Sequence, residues 1–335
     1  MEQGGRPQAD QGKQHGVVVK LDRGFPLVKL ESGSEIRCEH AASLSKGADH
    51  RVAIGDRVIV ALPPGHYKGI IEETLPRTSI FIRKDPTERS LPQILAANFD
   101  LVLVAQPLEA VNIRRLEREL VLAHETGAQV AVVLTKADLV TSPETVKVVL
   151  QQIDDLVGND QVLVVSKDNP ESVKLVARLI AQDNKTAVLL GRSGVGKSSL
   201  VNMLVCCDIQ ATTPVRERDG RGRHTTVSRE IISLPSGGSI IDMPGIRGLA
   251  LWDADEGIEA TFSDIEELAQ ACRFRDCTHT TEPGCAVQQA VKNGSLTPKR
   301  LESYIRLREE SKKMKVQREE ATRIRTRLGH PRSRR

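Results

Sequence analysis

The feature that most constrains this chain is the glycine-rich stretch GRSGVGKS at residues 191–198. An apolar segment, TAVLL (186–190), precedes it, and a segment of helical character begins near Lys197. In such a context the glycines let backbone N–H groups turn inward around phosphate oxygens, and the helix N-terminus adds partial positive charge. The stretch predicts a nucleotide phosphate site in which Lys197 contacts the β- and γ-phosphates and Ser198 binds Mg²⁺. Its predicted residues are Gly191, Arg192, Ser193, Gly194, Val195, Gly196, Lys197, Ser198 and Ser199.

Residues suited to reading a guanine base lie upstream of this loop, whereas they normally lie downstream. The sequence TKAD (135–138) ends an apolar run and resembles the guanine-specificity motif, although Thr135 stands where Asn is more usual. The Asp138 carboxylate is suited to accept hydrogen bonds from the guanine ring N–H and exocyclic amine, while the Lys136 stem covers the base. Adenine lacks these donors, so a buried carboxylate here selects guanine. The residues predicted to bind the base are Thr135, Lys136, Ala137, Asp138, Ser166 and Lys167, of which the last two end the next apolar run.

Two further nucleotide motifs follow the phosphate loop. DMPG begins at Asp242, which is predicted to hold Mg²⁺ through water, and ends at Gly245. The stretch GRGRHTT offers Thr225 or Thr226 to sense the γ-phosphate. The chain order is therefore base motif, second base loop, phosphate loop, first switch and second switch, which is a circular permutation of the usual order. Each part still follows a predicted strand, where ligands bind in open α/β sheets.

The rest of the chain divides by its β and helical patterns. Short β-rich runs predict a small barrel such as the OB-fold, and they are VVVKL (17–21), PLVKL (26–30), RVAI (51–54), RVIVAL (57–62) and GII (69–71). Residues 76–97 carry three prolines and scattered charges, which indicates a linker. From Asn98 apolar strands alternate with amphipathic helices, which favours a mostly parallel sheet covered on both faces.

The predicted division assigns every residue to one of six segments. These are a disordered N-terminus (1–15), an OB-like barrel (16–75), a linker (76–97), a nucleotide-binding domain (98–250), a helical metal-binding domain (251–310) and a basic tail (311–335). The tail holds ten Lys and Arg residues against two Glu, so the remaining chain is mildly acidic although the whole carries +4. A basic tail on an acidic body favours a polyanionic partner, above all nucleic acid. A solvated, disordered tail is the alternative.

A Cys/His cluster near the C-terminus predicts a metal centre. The stretch CRFRDCTHTTEPGC gives the spacing Cys272-x4-Cys277-x-His279-x5-Cys285. Three thiolates and one imidazole form the closed tetrahedral set typical of structural Zn²⁺. Because no position is left open for water, we expect no catalysis at this metal. The alternative is three reduced cysteines without a metal.

Membrane insertion and secretion are not expected from the sequence. No apolar run reaches the roughly 18 residues that span a bilayer. The N-terminus, MEQGGRPQADQGKQHG, lacks the hydrophobic segment of a signal peptide. We therefore expect a cytoplasmic protein with reduced cysteines and no membrane partner.

In its permuted motif order, its N-terminal barrel and its Cys/His spacing, the chain resembles the RsgA family of small-ribosomal-subunit-dependent GTPases. The resemblance covers about residues 16–310. It implies an OB-like barrel, a circularly permuted P-loop GTPase domain and a C-terminal helical zinc-binding domain. It further implies a monomer that binds the small ribosomal subunit and its rRNA, hydrolyses GTP to GDP when the subunit stimulates it, and acts late in the maturation of that subunit.

The group that orients the attacking water is the weakest point of the sequence pattern. Most GTPases place Gln just after the DxxG motif, but here that position is Ile246. This hydrophobic replacement is typical of the family and predicts a slow site that depends on a partner. His224, beside the switch threonines, is our candidate catalytic residue, and a loop histidine that contacts RNA or solvent is the alternative. A GTP-gated rRNA-binding scaffold with little turnover and an ATPase are the alternative functions.

Overall fold

The computed structural model describes residues 13–21, 25–42, 44, 52–84, 92–206, 229–242 and 254–328. Along the chain these residues form a β-barrel, a mostly parallel sheet flanked by helices, and a helical unit that contains the Cys/His cluster. The predicted fold class is confirmed in this architecture.

The described part of the N-terminal unit is a closed barrel. Its strands are Lys13–Leu21 (β1), Leu27–Leu30 (β2), Glu35–His40 (β3), Arg57–Ala61 (β4) and Gly69–Thr74 (β5). Their order is β1-β2-β3-β5-β4, and the pairing of β4 with β1 closes the barrel. Because side chains alternate between the two faces of a strand, one set points inward. This set forms a core that includes Val18, Val28, Cys38, Val58 and Ile71.

Two details of the barrel differ from the sequence prediction. The predicted strand 51–54 is wrong, since its described residues make only an isolated bridge from Ile54 to Ala96. A turn replaces it, because the Ala53 N–H donates to Asp56 Oδ2 at 2.7 Å. The strand β3 was not predicted, because its charged residues mask an alternation in which Cys38 faces the core. Burial raises the pKa of the Cys38 thiol to about 11, so this residue packs as an uncharged core side chain.

The segment predicted to be a linker contains an antiparallel hairpin. Its strands are Ile80–Lys84 (β6) and Pro92–Ala97 (β7). Pro92 is compatible with pairing because it is the first residue of its strand. Phe81 stacks on Phe99 with ring centroids 5.0 Å apart, and both side chains are buried. The segment is therefore packed structure that leads directly into the next unit.

The central sheet has the strand order β10-β9-β8-β11-β13-β12. Its strands are Leu101–Pro107 (β8), Gln129–Thr135 (β9), Gln161–Val164 (β10), Thr186–Leu190 (β11), Arg229–Ser233 (β12) and Ser239–Asp242 (β13). All pairs from β10 to β13 are parallel, whereas β12 is antiparallel to β13. Parallel neighbours require crossover connections, and helices supply them between the strands.

Four helices cover the two faces of this sheet. They are Ile113–His124 (α1), Pro143–Val157 (α2), Pro170–Ala181 (α3) and Lys197–Cys206 (α4). Val102 and Val104 of β8 pack with α1 and α2, while Leu101 and Leu103 pack with α3 and α4. Because neighbouring residues of β8 face different cores, both faces of the strand are buried, as its continuous apolar sequence predicts.

The barrel is joined to the central sheet by strand pairing. The end of β1 pairs with the start of β12, where Lys20 lies opposite Glu230 and its Nζ is 2.8 Å from the Glu230 carboxylate. The barrel strands and the central strands consequently form one continuous hydrogen-bonded sheet. A separate ion pair holds the segment between the barrel and the hairpin, since Arg77 makes two contacts of 2.7 and 2.8 Å with the fully buried carboxylate of Asp56 in the turn before β4.

The C-terminal unit is helical. Its helices are Asp255–Thr261 (α5), Ser263–Ala269 (α6), Ala286–Asn293 (α7) and Pro298–Leu328 (α8). Phe262 meets Tyr304 edge to face at 5.5 Å, and both belong to the core that contains α1. Among the helices in the described ranges, none is both long and apolar enough to cross a membrane.

The turn before β4, where the barrel contacts strand β7 of the hairpin, allows a matched test of close packing. Gly55 and Gly33 have nearly the same left-handed backbone, with φ of +84° and +85°. A Cβ at Gly55 would collide with the Ala97 carbonyl oxygen, whereas no atom of the described residues lies within 4 Å of a Cβ at Gly33. We expect Gly33→Ala to cost about 1 kcal/mol from the backbone alone. Gly55→Ala should cost about 3 kcal/mol or more, because a steric clash adds to the same backbone cost.

Urea unfolding followed by circular dichroism would measure both variants against the unsubstituted chain. Equal shifts of the unfolding midpoint for the two substitutions would contradict a tight junction between the barrel turn and β7.

Candidate nucleotide site and metal centre

The structure brings the predicted nucleotide motifs to one edge of the sheet. The base motif ends β9, the second base loop follows β10, the phosphate loop follows β11, and Asp242 ends β13. These four strands are parallel, so their carboxyl ends lie at the same edge. Strands far apart in the sequence therefore present their loops side by side, as the permuted order requires.

The phosphate loop depends on its glycines. Gly191, Gly194 and Gly196 have φ values of +147°, +87° and +98°, which residues with side chains rarely adopt. A Cβ at Gly191 would also lie only 2.6 Å from the Ala105 carbonyl oxygen. The Lys197 ammonium donates to the carbonyl oxygens of Gly191 and Arg192 at 2.6 and 2.8 Å. The loop thus curls around Lys197, the first residue of α4, and the positive charge of the Lys197 ammonium lies against the loop backbone.

The remaining loop residues divide into exposed and anchoring positions. Arg192 and Ser193 are exposed, whereas the Val195 side chain is buried and fixes the loop to the domain. Ser198 and Ser199 lie exposed on the first turn of α4. The helix N-terminus and two hydroxyls consequently face solvent where an anion can approach.

Thr135 connects the base motif to the phosphate loop. Its Oγ1 is 2.5 Å from the Val195 carbonyl oxygen and 3.2 Å from that of Gln106, and its hydroxyl donates toward both. A Cβ at Gly196 would lie 3.3 Å from Thr135 Oγ1, so the phosphate loop runs directly against the Thr135 side chain. Thr135 therefore replaces the more usual Asn with a shorter side chain that still holds the loop.

Asp138 lies beside the second base loop. Its carboxylate is 3.2 Å from Lys167 Nζ, and it accepts the Lys167 backbone N–H at 3.4 Å. Burial of this carboxyl works against ionisation, but the Lys167 side chain and the backbone donors outweigh it and hold the pKa of Asp138 below its usual range. Ala137 donates to the Val165 carbonyl at 3.1 Å, and Lys136 takes a left-handed backbone with φ of +57°. The base motif thus contacts the second base loop through Ala137 and Asp138, while Ser166 accepts the Asp168 N–H within that loop at 3.2 Å.

Several predicted site residues lie outside the described residues. These are His224, Thr225, Thr226 and Gly245, together with Ile246. Asp242 is placed by its backbone at the end of β13, opposite Glu230 of β12. Its position relative to the phosphate loop follows from the direct pairing of β13 with β11.

Two polar residues near the phosphate loop were not predicted. Gln106 is the penultimate residue of the otherwise apolar strand β8, and its exposed fraction is 2%. Glu119 lies on α1 with an exposed fraction of 8%, and its carboxylate accepts from Gln106 Nε2 at 2.5 Å. The signal for Gln106 was a polar residue in an apolar run. Glu119 could be found from its spacing of three residues from Leu116, which places it next to the apolar face of the helix.

The four predicted metal ligands converge. The ligand atoms of Cys272, Cys277, His279 and Cys285 all lie within 4.8 Å of one another. His279 Nδ1 is 3.6 Å from Cys272 Sγ and 3.4 Å from Cys285 Sγ. The chain makes this approach through a left-handed backbone at His279, with φ of +60°, and at Gly284, with φ of +77°.

Two of the four ligands, Cys272 and His279, have surroundings that suit a bound cation, whereas burial raises the pKa of the Cys277 thiol to about 11. The Ala286 N–H donates to Cys272 Sγ at 3.3 Å, and the Gln288 N–H donates to Cys285 Sγ at 3.4 Å. Burial disfavours the Cys272 thiolate, but backbone donors outweigh it and lower its pKa. Burial, followed by the nearby Arg308 charge, lowers the pKa of His279 and keeps its imidazole neutral. A stabilised thiolate and a neutral imidazole are the forms that bind metal.

Comparison with known proteins gives consistent matches over this architecture. The profile of a family described as RsgA GTPase matches residues 74–252. A protein of Streptomyces coelicolor named small ribosomal subunit biogenesis GTPase RsgA is 42% identical over 312 residues, covering 92% of this chain and 83% of its own length. A protein of the same name from Leptospira interrogans is 35% identical over 91% of this chain and 84% of its own length.

Two solved structures share the fold. YloQ, described as a circularly permuted GTPase, is 27% identical with a TM-score of 0.65, over 92% of this chain and 98% of its own. YjeQ from Thermotoga maritima is 24% identical with a TM-score of 0.67, over 89% of this chain and 98% of its own.

The cysteine cluster can be tested by metal content. We expect one bound metal ion per chain, measured by plasma mass spectrometry on the purified protein. Cys277→Ser should remove it and lower the unfolding temperature, because structural metal binding supplies on the order of 10 kcal/mol to a small unit. Cys206→Ser is the matched control, since Cys206 is exposed and lies outside the cluster. Equal metal content in the two variants would contradict a four-ligand site.

Proposed function

Because the chain belongs to the RsgA GTPase family, we propose that it is a GTPase that binds the small ribosomal subunit and acts in its late maturation. The names of its relatives support this assignment, and the matched family is itself described as a GTPase. The alternative of a GTP-gated scaffold with little turnover is not favoured for the same reason. We further propose a monomer that works in the cytoplasm, where small subunits mature.

The contact between Thr135 and the phosphate loop carries the proposal for the nucleotide. Since its hydroxyl touches the Val195 carbonyl, the base motif and the phosphate loop lie close enough to serve one GTP. Asp138 and Lys136 bind the guanine, with the loop of Ser166 and Lys167 beside it. Phosphate binding is assigned to Gly191, Arg192, Ser193, Gly194, Val195, Gly196, Lys197, Ser198 and Ser199.

Lys197 has the central role at the phosphates. Its ammonium neutralises charge on the β- and γ-phosphates, and Ser198 contributes a hydroxyl to Mg²⁺. Asp242 supports the same ion through water, and Thr225 or Thr226 responds to the γ-phosphate, with Gly245 after them in the second switch. The Mg²⁺ ion supplies charge neutralisation to the phosphates when it is bound, while these residues hold the phosphates and orient them.

Hydrolysis requires that a water molecule be oriented toward the γ-phosphate. Because the Ile246 side chain cannot hydrogen-bond a water, we assign this role to His224, which directly precedes the switch threonines. A site without the usual glutamine is slow on its own, so stimulation by the small subunit is an expected part of the activity.

Zinc is the metal that suits the C-terminal cluster. Three thiolates with one imidazole are a ligand set typical of Zn²⁺, and a closed set of four indicates a structural role. We propose one Zn²⁺ bound by Cys272, Cys277, His279 and Cys285, which stabilises the loop between α6 and α7.

Exposed aromatic and basic side chains support rRNA as the partner. On the barrel, Tyr67 is 99% exposed, and Lys68 Nζ lies 3.5 Å from the centre of the half-exposed Phe25 ring. In the metal loop, Arg273 lies over the exposed ring of Phe274 at 5.5 Å. Such pairs can stack on bases and contact phosphates. The basic tail, 311–335, adds cations whose contacts would weaken with salt.

Turnover with small subunits is the decisive test. We expect slow GTP hydrolysis by the purified chain and an increase of about tenfold or more when purified small subunits are added, because the partner completes a site that lacks glutamine. The released phosphate would be measured at increasing subunit concentration, with large subunits as the control. An unchanged rate with bound subunits would favour the scaffold.

Two variants separate catalysis from binding in this assay. Lys197→Ala should lose both nucleotide binding and turnover. His224→Ala should bind GTP normally and lose the stimulated rate. If His224→Ala kept the full stimulated rate, a group other than His224 would orient the attacking water.

Base selection can be tested by replacing the Asp138 carboxylate with an amide. Asp138→Asn should weaken GTP binding roughly 100-fold, because two hydrogen bonds to a charged acceptor are lost. The same variant should gain affinity for xanthosine triphosphate, whose carbonyl can accept from the new amide. Asp168→Asn is the matched control, since Asp168 is a nearby exposed acid that also faces Lys167. Fluorescence titration with both nucleotides would measure this, and equal GTP affinity in the two variants would contradict guanine reading by Asp138.

A further inference from the structure

A buried polar pair lies behind the phosphate loop and has no role in the GTP contacts proposed above. Glu119 of α1 and Gln106 of β8 are both almost fully buried and are joined by the 2.5 Å hydrogen bond from Gln106 Nε2. Removing a carboxyl group from water is costly unless its partners compensate, and one amide donor compensates only in part. The pair therefore lowers stability where an apolar pair would not, which points to a role in the adjacent site.

Direct contacts connect this pair to the phosphate loop. The backbone carbonyl of Gln106 accepts from the Thr135 hydroxyl at 3.2 Å, and the same hydroxyl is 2.5 Å from the Val195 carbonyl. Gln106 thus holds Glu119 with its side chain and Thr135 with its backbone. A change at the Glu119 carboxyl can reach the loop through these two residues.

Charge provides a second connection. Among the described charged groups, Arg115 on the same helix and Lys197 at the start of α4 are the ones that act on Glu119. Burial raises the pKa of Glu119 to about 7, although the Gln106 hydrogen bond and the charges of Arg115 and Lys197 oppose this shift. Both protonation states are therefore populated near neutral pH. The ionised form carries a negative charge that interacts electrostatically with Lys197, the residue proposed to bind the phosphates.

We propose that Glu119 is a positioning residue of the phosphate site and that it takes up one proton from solvent when a nucleoside triphosphate binds at Lys197. The phosphates bring negative charge toward the ammonium that partly offsets the Glu119 carboxylate, so they favour the neutral carboxyl. Neutral Glu119 in turn leaves the full charge of Lys197 to the phosphates. This inference rests on the proposed GTP site, but not on the proposed ribosomal partner.

The direction of the pH dependence follows from this coupling. Bound triphosphate raises the pKa of Glu119 above its value in the free protein, so protonation favours binding. Affinity should be constant well below pH 7, where Glu119 is neutral in the free and the bound protein, and should fall as pH rises through 7, where the free protein loses this proton. A rise of one pKa unit on binding corresponds to a loss of about tenfold in affinity. We expect a loss of roughly threefold to tenfold between pH 6.5 and pH 8.5.

Glu119→Gln tests the proposal with an uncharged side chain of the same shape. Its amide oxygen can still accept from Gln106, while it carries no titratable proton. The affinity for a fluorescent, non-hydrolysable GTP analogue with Mg²⁺ should stay at the low-pH value of the unsubstituted chain across the range. Glu117→Gln is the matched control, since Glu117 is equally buried and its pKa is also raised by burial, but it faces Ser303 and Arg300 of α8. This control should keep the pH dependence.

Calorimetry in two buffers of different ionisation enthalpy measures the proton uptake on binding directly. The result for the unsubstituted chain does not require that any variant folds. At pH 7.5 the unsubstituted chain should take up a fraction of a proton per bound analogue, and Glu119→Gln should take up less. Zero uptake, or an identical pH profile in Glu119→Gln, would overturn the proposal while leaving GTP binding intact. Absence of analogue binding at every pH would overturn the proposed function and this proposal together.

Discussion

The parallel pairing of the central strands is the constraint on which the rest of the molecule depends. Because β9, β10, β11 and β13 run in one direction, the loops that follow them lie at one edge whatever their order in the chain. A nucleotide site needs only that edge, and so the order of motifs can be permuted without loss of the site. What must be kept is the adjacency of strands, and here the strand before the phosphate loop lies between β8 and β13. The hydrogen bond from the Thr135 hydroxyl to the Val195 carbonyl then holds the base motif against the phosphate loop.

The helix α1 connects this site to the C-terminal unit. Glu119 points to the strand end beneath the phosphate loop, while Glu117, two residues earlier, faces α8, where its carboxylate is 3.7 Å from Arg300. Arg300 is held by two contacts of 2.7 and 2.8 Å with Asp264. At the C-terminal end of α1, His124 Nε2 lies 3.0 Å from Asp160 Oδ2 and His124 Nδ1 lies 2.9 Å from Thr261 Oγ1. A shift of α1 would therefore disturb buried polar contacts on both of its faces.

The sequence predicts most of the fold and the candidate site, and its failures share a cause. Periodicity and glycine placement predicted the central strands and the phosphate loop, because each signal is local. The four metal ligands were predicted from spacing, since their chemistry allows few alternatives. The strand β3 was missed because its partners, β2 and β5, decide its state rather than its own charged residues. Gln106 and Glu119 each carry only a weak local signal, and they were missed because their pairing is visible only when β8 and α1 are packed together. Domain limits and the individual roles at the nucleotide stay predictions.

The permutation also decides where the flanking units meet the nucleotide edge. The chain enters the sheet at β8 from the hairpin, at the end of that strand remote from the site, because the site lies at the carboxyl end. The barrel nevertheless reaches the site edge by another route. The strand β12 is antiparallel to β13, so its start lies at the site edge, where Glu230 pairs with Asp242. Lys20 of the barrel pairs with the same Glu230. The barrel is therefore connected by strand pairing to the residue opposite Asp242, which is proposed to support Mg²⁺. The described part of the C-terminal unit begins at Ala254 and packs in the core that contains α1. Each flanking unit thus meets the central unit at a different element.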